Sequence, residues 1–137
     1  MAVSFGRSIG FVAGGIGDQI YHLTQLRALA GASFDGKIDI ACIQPGPIAI
    51  LLAHSSWAGK IIDARPLRRY VPFMRGSSTV RQIRQIHYDS AFILHRSTSF
   101  KLATFVASID RRVGLIGHNI DKFLLTDSLA ADAGGDR

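Results

Sequence analysis

A carboxylate that follows a cluster of glycines is the feature of this sequence best suited to chemistry. Gly14, Gly15 and Gly17 precede Asp18, and the residues that follow have the spacing of a helix. Glycines allow a sharp turn and put no side chain in the way, so a bulky ligand can come close to the carboxylate. Alternatively, Asp18 is a simple helix N-cap, which explains the acid but not the three glycines before it.

The same residues form only an incomplete dinucleotide fingerprint. The stretch Gly15–Ile20 follows the pattern G-x-G-x-x-G except at its third glycine, where Ile20 stands. Asp18 would repel a phosphate from the helix N-terminus, which is where such a motif binds it. The second predicted strand ends at Gln44 and Pro45, without the acid that usually binds a ribose. A nucleotide-binding oxidoreductase is therefore disfavoured.

A second group of residues suited to ligand binding lies in the segment from residue 64 to residue 88, which contains six arginines and no acidic residue. The whole chain has a net charge of +6, no glutamate, and three times as many arginines as lysines. Because guanidinium groups match phosphates and carboxylates, we expect Arg68 and Arg69 to hold an anionic ligand. The alternative is a solvated loop and the outer face of a helix. Nucleic acid is not expected, since no known binding motif accompanies the charge.

His95, Arg96 and Ser97 come directly after a predicted strand and are further candidates for ligand binding. His22 lies one helical turn beyond Asp18, although a histidine on such an apolar helix is more often simply packed. No group of histidine, cysteine and acidic residues has the spacing of metal ligands, so no metal is expected. Cys42 lies in a predicted strand, where a buried thiol suits a reducing compartment.

The elements that must position these residues alternate between strands and helices. Strands are predicted over 9–13, 37–43, 59–63, 88–94 and 111–116, and helices over 18–30, 48–54, 77–87 and 99–109. This alternation predicts an α/β fold: a Rossmann-like parallel sheet of about five strands with helices on both faces. The glycine turn and His95 then share the carboxyl edge of the sheet, where open α/β folds bind ligands.

Hydrophobic spacing predicts which helix faces are buried. In the first helix we expect a buried stripe, widened by its neighbours: Ile20, Leu23, Arg27 and Ala30, with Tyr21, Leu26 and Leu29 beside them. In the fourth helix, capped by Ser99, the expected stripe is Leu102, Phe105, Val106 and Ile109. Serines and a threonine at 77–79 are cap candidates for the third helix. Residues 122–126 are predicted to be one more extended piece.

Length and hydropathy indicate one domain over residues 1–128, followed by a tail or linker over residues 129–137. The longest apolar run, Ile48–Ala53, is too short to cross a bilayer. No signal peptide is recognised, so we expect a cytoplasmic protein.

Two blocks of residues resemble glycosyltransferase family 9, the heptosyltransferases of lipopolysaccharide core assembly and their relatives. The first block is Gly14–Asp18 followed by Leu26–Leu29. The second consists of Tyr88 with Asp89, the serine-bearing helix start Ser97–Ser99, and Arg111–Gly114. The resemblance covers residues 9–126. It departs from the family pattern at Thr24, where proline is frequent, and at His95 and Arg96, where a Gln-Gly step is frequent.

The resemblance implies the N-terminal half of a GT-B fold, in which two Rossmann-like domains face a cleft. It implies an inverting sugar transfer with Asp18 as the catalytic base. From the resemblance together with the positions discussed above, we expect the acceptor to be bound by Gly15, Gly17, His22, Arg68, Arg69, His95, Arg96 and Ser97. The acceptor is a lipopolysaccharide core or related glycan, and the nucleotide-sugar donor is bound mainly by a C-terminal domain. No cofactor and no obligatory metal are implied.

The resemblance also implies work at the inner face of the bacterial inner membrane, with peripheral membrane association left open. The chain alone is expected to be inactive and to self-associate through its exposed cleft face. The competing hypothesis is a stand-alone, non-catalytic Rossmann-like module that binds an anionic glycan, a nucleotide or a lipid headgroup.

Overall fold

The structure, a computed structural model that describes residues 4–129, contains a sheet of six parallel strands. These are β1 (Gly6–Val12), β2 (Ser33–Cys42), β3 (Ala58–Asp63), β4 (Ser90–Ile93), β5 (Arg111–Leu115) and β6 (Asp127–Leu129). Their order in the sheet is β3-β2-β1-β4-β5-β6. The α/β, Rossmann-like parallel sheet predicted from the sequence is therefore confirmed, with one strand more than the five counted.

The helices lie between the strands along the chain. They are α1 (Ile16–Ala30), α2 (Pro45–Leu51), α3 (Ser77–Ile86), α4 (Thr98–Val106) and α5 (Asp121–Leu124), with a 3-10 turn at Arg65–Leu67. The extended piece predicted at 122–126 is wrong in position, because α5 occupies most of it and the strand follows as β6. Apart from the 3-10 turn, the long loop between β3 and α3 is irregular, as the sequence predicts.

Two hydrophobic cores cover the two faces of the sheet. On one face, α3 and α4 pack against the strands, and the ring centroids of Phe11 and Phe100 are 5.6 Å apart. On the other face, α1 and α2 pack through residues such as Leu26 and Ile48. The central strand β1 is buried from Ser8 onwards because it is covered on both sides.

Helix α1 corrects two expectations. It begins at Ile16 with Gly15 in the N-cap position, so the interpretation of Asp18 as the N-cap is wrong. Of the residues expected inside, Ile20 and Tyr21 are 45% and 64% exposed, whereas Gln19 is fully buried. The buried stripe is Gln19, Leu23, Leu26 and Ala30, which has helical spacing but starts from a polar residue.

Helix α4 buries Phe100, Lys101, Ala103 and Thr104. Of the predicted stripe, Leu102 and Val106 are only partly buried and Phe105 is exposed, whereas Ile109, beyond the helix end, is buried as expected.

The buried face of α4 includes an ion pair. The Lys101 ammonium lies 2.8 Å from Oδ2 of Asp121, and both side chains are fully buried. Asp121 also accepts hydrogen bonds from the backbone N–H groups of Gly117 and His118 and from the Thr98 hydroxyl. Burial by itself raises the pKa of Asp121, but these donors outweigh it and leave that pKa well below its usual range.

Helix α3 begins at Ser77, as predicted, but its N-cap is Gly76, in a left-handed conformation with φ 81°, so no cap from residues 77–79 is used. Helix α4 begins at Thr98: Ser97 caps it by accepting a hydrogen bond from the N–H of Phe100, and the cap expected at Ser99 is wrong. Helix α2 starts at Pro45, three residues before the predicted start at residue 48.

Side-chain hydrogen bonds join the strands near their amino ends. The Tyr88 hydroxyl donates to the carboxylate of Asp39, so the segment before β4 is tied to β2 across β1. Asp89 accepts from the backbone N–H of Arg7, and Ser90 donates to the carbonyl of Phe5. This amino edge is thus held by contacts between residues far apart in sequence.

Within residues 4–129, no helix has the length and apolarity needed to pass through a bilayer. Strand β6 ends at Leu129, and most of the predicted tail lies outside the described residues.

Candidate functional site

The strand order creates a crevice at the carboxyl edge of the sheet. Strand β1 is followed by α1 on one face of the sheet, and the neighbouring strand β4 is followed by α4 on the other face. Parallel sheets bind ligands between two neighbouring strands whose connections go to opposite faces. The loop after β1 contains the glycine cluster, and the loop after β4 contains His95 and Ser97. The structure therefore brings together the two loops that the sequence predicts at one edge.

Asp18 is exposed in the first turn of α1, and its carboxylate lies next to Gly14, where a larger residue would be strained. Gly14 has φ 92°, and a Cβ atom built on it would lie 2.9 Å from Oδ2 of Asp18. Cβ atoms at Gly15 and Gly17 would meet nothing within 4 Å, so the space around the carboxylate is open. Asp18 makes no capping hydrogen bond and, in the described part of the chain, no ion pair.

His95 is partly buried at the other side of the crevice, with its tautomer set by the backbone. The N–H of Ser97 lies 3.2 Å from Nδ1 and donates to it, so in the neutral ring Nε2 carries the proton. Burial lowers the pKa of His95, and the charges of His22 and Lys101 lower it further, while Asp18 opposes them. Because the charges of Asp18 and His22 act on the pKa of His95, both side chains lie near its ring at this edge of the sheet.

A cavity of about 280 Å³ lies between the two loops. Its lining consists of Ala13, Gly14, Ile43, Arg68, His95, Ser97 and Phe100. Arg68 reaches it from the long loop after β3, so a cation and a neutral imidazole face the same space. The lining is half polar in character, with aromatic and aliphatic walls provided by Phe100 and Ile43.

The other predicted acceptor residues are distributed more widely. Arg69 is exposed and lies with Arg65, Arg68 and Arg75 around a separate shallow depression beside the 3-10 turn. Nδ1 of His22 is 3.0 Å from Oε1 of Gln25, and the ring lies outside the cavity lining. Arg96 is exposed and also outside that lining. The Ser97 hydroxyl, in contrast, is engaged as the α4 cap.

One crevice residue is missing from the sequence prediction. Nε2 of buried Gln19 donates to the carbonyl of Gly14 at 3.2 Å and to Oε1 of Gln44 at 2.9 Å. It therefore joins the loop after β1 to the loop after β2 and fixes the floor of the crevice. The sequence feature that could have identified Gln19 as buried is its helical spacing with Leu23 and Leu26, which makes it part of the buried stripe.

A larger depression, about 550 Å³, lies at the amino edge of the sheet. It is shallow and lined by Asp89, Asp110, Arg111 and Asp127 among others. Within residues 4–129, no group of three histidine, cysteine or acidic residues could hold a metal ion. The crevice between β1 and β4 is the better candidate site, because an imidazole and a guanidinium line its cavity and the Asp18 carboxylate, although outside that lining, lies next to Gly14, which belongs to it.

Comparison with known proteins gives structural neighbours only. No protein-family model matches the chain, and no curated protein matches it in sequence. Its fold is similar to that of a family 9 glycosyltransferase from Veillonella parvula DSM 2008, with a TM-score of 0.70 and 16% identity over 96% of this chain and 38% of the neighbour. It is also similar to ADP-heptose lipopolysaccharide heptosyltransferase II from E. coli, with a TM-score of 0.67 and 21% identity over 92% of this chain and 35% of the neighbour.

This chain thus spans little more than a third of the length of either neighbour. At such identities the likeness concerns the fold. The chain therefore has a Rossmann-like α/β fold that is also found in part of these two glycosyltransferases.

Proposed function

We propose that this chain is the acceptor-binding, N-terminal domain of an inverting glycosyltransferase of the heptosyltransferase type. It acts with a second domain that binds the nucleotide sugar, at the cytoplasmic face of a bacterial inner membrane. The acceptor is an anionic glycan of the lipopolysaccharide-core kind. The observation that carries the proposal is the free, exposed carboxylate of Asp18 above open glycines in the crevice of this fold.

In this proposal Asp18 is the general base. Its carboxylate accepts the proton of an acceptor hydroxyl while that oxygen attacks the anomeric carbon of the donor. The new glycosidic bond forms as the bond from the anomeric carbon to the nucleoside diphosphate breaks, and the electron pair leaves with the diphosphate. Gly15 and Gly17 support the role because they leave room for a sugar beside the carboxylate.

His95 and Arg68 orient the acceptor. The neutral imidazole offers its Nε2–H to an acceptor oxygen, since Nδ1 already accepts from the backbone. The Arg68 guanidinium offers a planar pair of donors to an anionic substituent of the same glycan. Both side chains line the cavity, which supports assigning them to one ligand.

The proposal is tested by Asp18→Asn in a protein that carries this domain together with its donor-binding domain. Turnover should fall about 100-fold or more, because asparagine cannot accept the proton. Stability should change by about 1 kcal/mol or less, since the Asp18 side chain makes no capping hydrogen bond. Product formation is followed by mass spectrometry of the acceptor, and stability by thermal unfolding.

A matched control is Asp110→Asn, which removes an exposed carboxylate near the amino edge of the sheet and should leave turnover unchanged. Near wild-type turnover in Asp18→Asn would exclude this residue as the base. The rival hypothesis of a non-catalytic module predicts that no donor-binding domain is encoded downstream. It also predicts glycan binding that is indifferent to the Asp18 change.

A further inference from the structure

The long loop between β3 and α3 exposes an apolar tip, Val71–Met74, to solvent. Phe73 is 98% exposed and Met74 77% exposed, the most exposed large apolar side chains in the loop. Phe73 also has φ 67°, a conformation that side-chain-bearing residues rarely adopt. A phenylalanine held outward in this way contributes nothing to the core of the domain.

Backbone hydrogen bonds and buried neighbouring residues hold the tip in place. The N–H of Val71 donates to the carbonyl of Arg75, and the N–H of Met74 donates to the carbonyl of Val71, which closes the loop into a compact turn. Immediately before it, Tyr70 is buried in the core, and Leu67 is buried in the 3-10 turn. The base therefore belongs to the folded domain, while the tip projects from it.

Arginines flank the apolar tip in the chain, with Arg68 and Arg69 before it and Arg75 directly after it. Arg65, Arg68, Arg69 and Arg75 line one shallow depression of about 370 Å³ together with Pro66. Arg65 is paired with Asp63 at 2.7 Å, but within residues 4–129 no carboxylate lies within ion-pair distance of the other three. The segment thus combines protruding apolar side chains with at least three guanidinium groups that need anionic partners.

We propose that the apolar tip inserts into the surface of an anionic lipid bilayer and that Arg68, Arg69 and Arg75 bind the lipid phosphates around it. Protruding phenylalanine and methionine side chains can enter the boundary between headgroups and acyl chains, where they leave water. Arginines in the same loop meet the negative surface potential of the membrane. The inference does not depend on the proposed sugar transfer.

A bilayer fits this surface better than a folded protein partner does. The apolar atoms form a small convex tip rather than a flat patch, and a fluid interface accepts such a shape without a matching pocket. The cations precede and follow the tip in the same loop, so one layer of phosphates can meet them on both sides of it. Arg68 belongs both to this arginine cluster and to the crevice lining, so membrane contact brings the crevice to the lipid surface.

The first test is flotation of the 137-residue chain with lipid vesicles. One set is phosphatidylcholine alone, and the other contains about one third phosphatidylglycerol. We expect binding to the anionic set only. Phe73→Ser with Met74→Ser should lower the bound fraction about tenfold, and Arg68→Gln with Arg69→Gln and Arg75→Gln should do the same.

Two matched controls separate the tip from general effects. Ile50→Ser removes another exposed apolar side chain, 80% exposed on α2, and should bind like the unchanged chain. Replacing Arg27, Arg81 and Arg84 by glutamine removes the same number of charges from exposed positions outside the loop between β3 and α3 and should weaken binding far less. Circular dichroism of each variant checks that it folds.

The second test reports insertion itself. In a Trp57→Phe background, Phe73→Trp should shift its emission to the blue on addition of anionic vesicles and be quenched by lipids brominated on their acyl chains. Ile50→Trp in the same background should show neither effect. Equal flotation of the tip variant and the unchanged chain, or no binding to anionic vesicles, overturns the proposal.

Two further outcomes also overturn it. Binding that depends on the arginines but gives no change at residue 73 means adsorption without insertion. A smaller oligomer for the tip variant in size-exclusion chromatography, without vesicle binding by the unchanged chain, means that a second copy covers the tip.

Discussion

The ring of His95 connects pH to the stability of the fold. Burial lowers its pKa below the ordinary value of 6.5, so the folded chain resists a proton that the unfolded chain accepts. Its contribution to stability is complete above about pH 6.5 and is lost as the pH falls through the lower pKa of the folded state. Protonation of Nδ1 would also break the hydrogen bond from Ser97.

We therefore expect the denaturant midpoint of the chain to fall as the pH is lowered from about 6.5, and His95→Gln to reduce that fall. Glutamine can still accept a hydrogen bond from Ser97 but does not titrate. Urea unfolding at several pH values measures the effect, and His54→Gln, at an exposed position, serves as control. An identical pH dependence in His95→Gln and the unchanged chain would contradict this account.

Two neighbouring arginines should differ in their effect on acceptor binding. Arg68 lines the crevice cavity and Arg69 does not, although each carries one charge. Arg68→Gln should weaken the binding of an anionic glycan about tenfold, and Arg69→Gln about twofold or less. Calorimetric titration at low and high salt distinguishes a direct contact from screened attraction. Equal losses in the two variants would mean that only the general field of the loop attracts the ligand.

Among the elements, α4 and α5 depend on each other through the buried pair of Lys101 and Asp121. Lys101→Met should lower the free energy of unfolding by about 3–5 kcal/mol, because it leaves an uncompensated buried charge. Asp121→Asn added to it should recover part of that loss, since it removes the charge but keeps an acceptor oxygen. The exposed Lys122→Met is the control, with an expected change within about 0.5 kcal/mol. A loss no larger than the control's would show that Asp121 is satisfied without lysine.

The same pair shows where sequence reasoning reaches its limit at this scale. Apolar runs and the breaks between them predicted β1 to β5 to within a few residues, because a buried strand consists of a short, local run of apolar residues. Periodicity could not predict that Lys101 faces inward, since its partner lies twenty residues further along the chain. Phe105, expected inside, is 39% exposed.

The crevice was predictable where it depended on topology. Asp18 and His95 follow strands that a parallel sheet brings to one edge, and they do share that edge. Helical spacing with Leu23 and Leu26 could have indicated that Gln19 is buried, but not that it hydrogen-bonds Gln44, which lies in the loop after another strand. Nor could Arg68 be told from Arg69, because their difference arises from the path of an irregular loop.

For the whole molecule, we expect the 137-residue chain to transfer no sugar alone. The leaving diphosphate needs cations, a metal or a free helix N-terminus. The N-terminus of α1 carries Asp18, the cavity lining includes one arginine, and residues 4–129 hold no metal-ligand cluster. Incubation with nucleotide sugars and glycan acceptors should give no product above the blank. Robust turnover, free of contaminating enzyme, would show that the chain is not half of a catalytic unit.

The hydrogen bonds of the amino edge have a consequence for how this protein can diversify. Asp39, Tyr88 and Asp89 close the scaffold at one end of the strands, and the proposed ligand residues lie at the other end. Side chains in the crevice can therefore be exchanged, with a change in the ligand that binds there, while the sheet remains assembled.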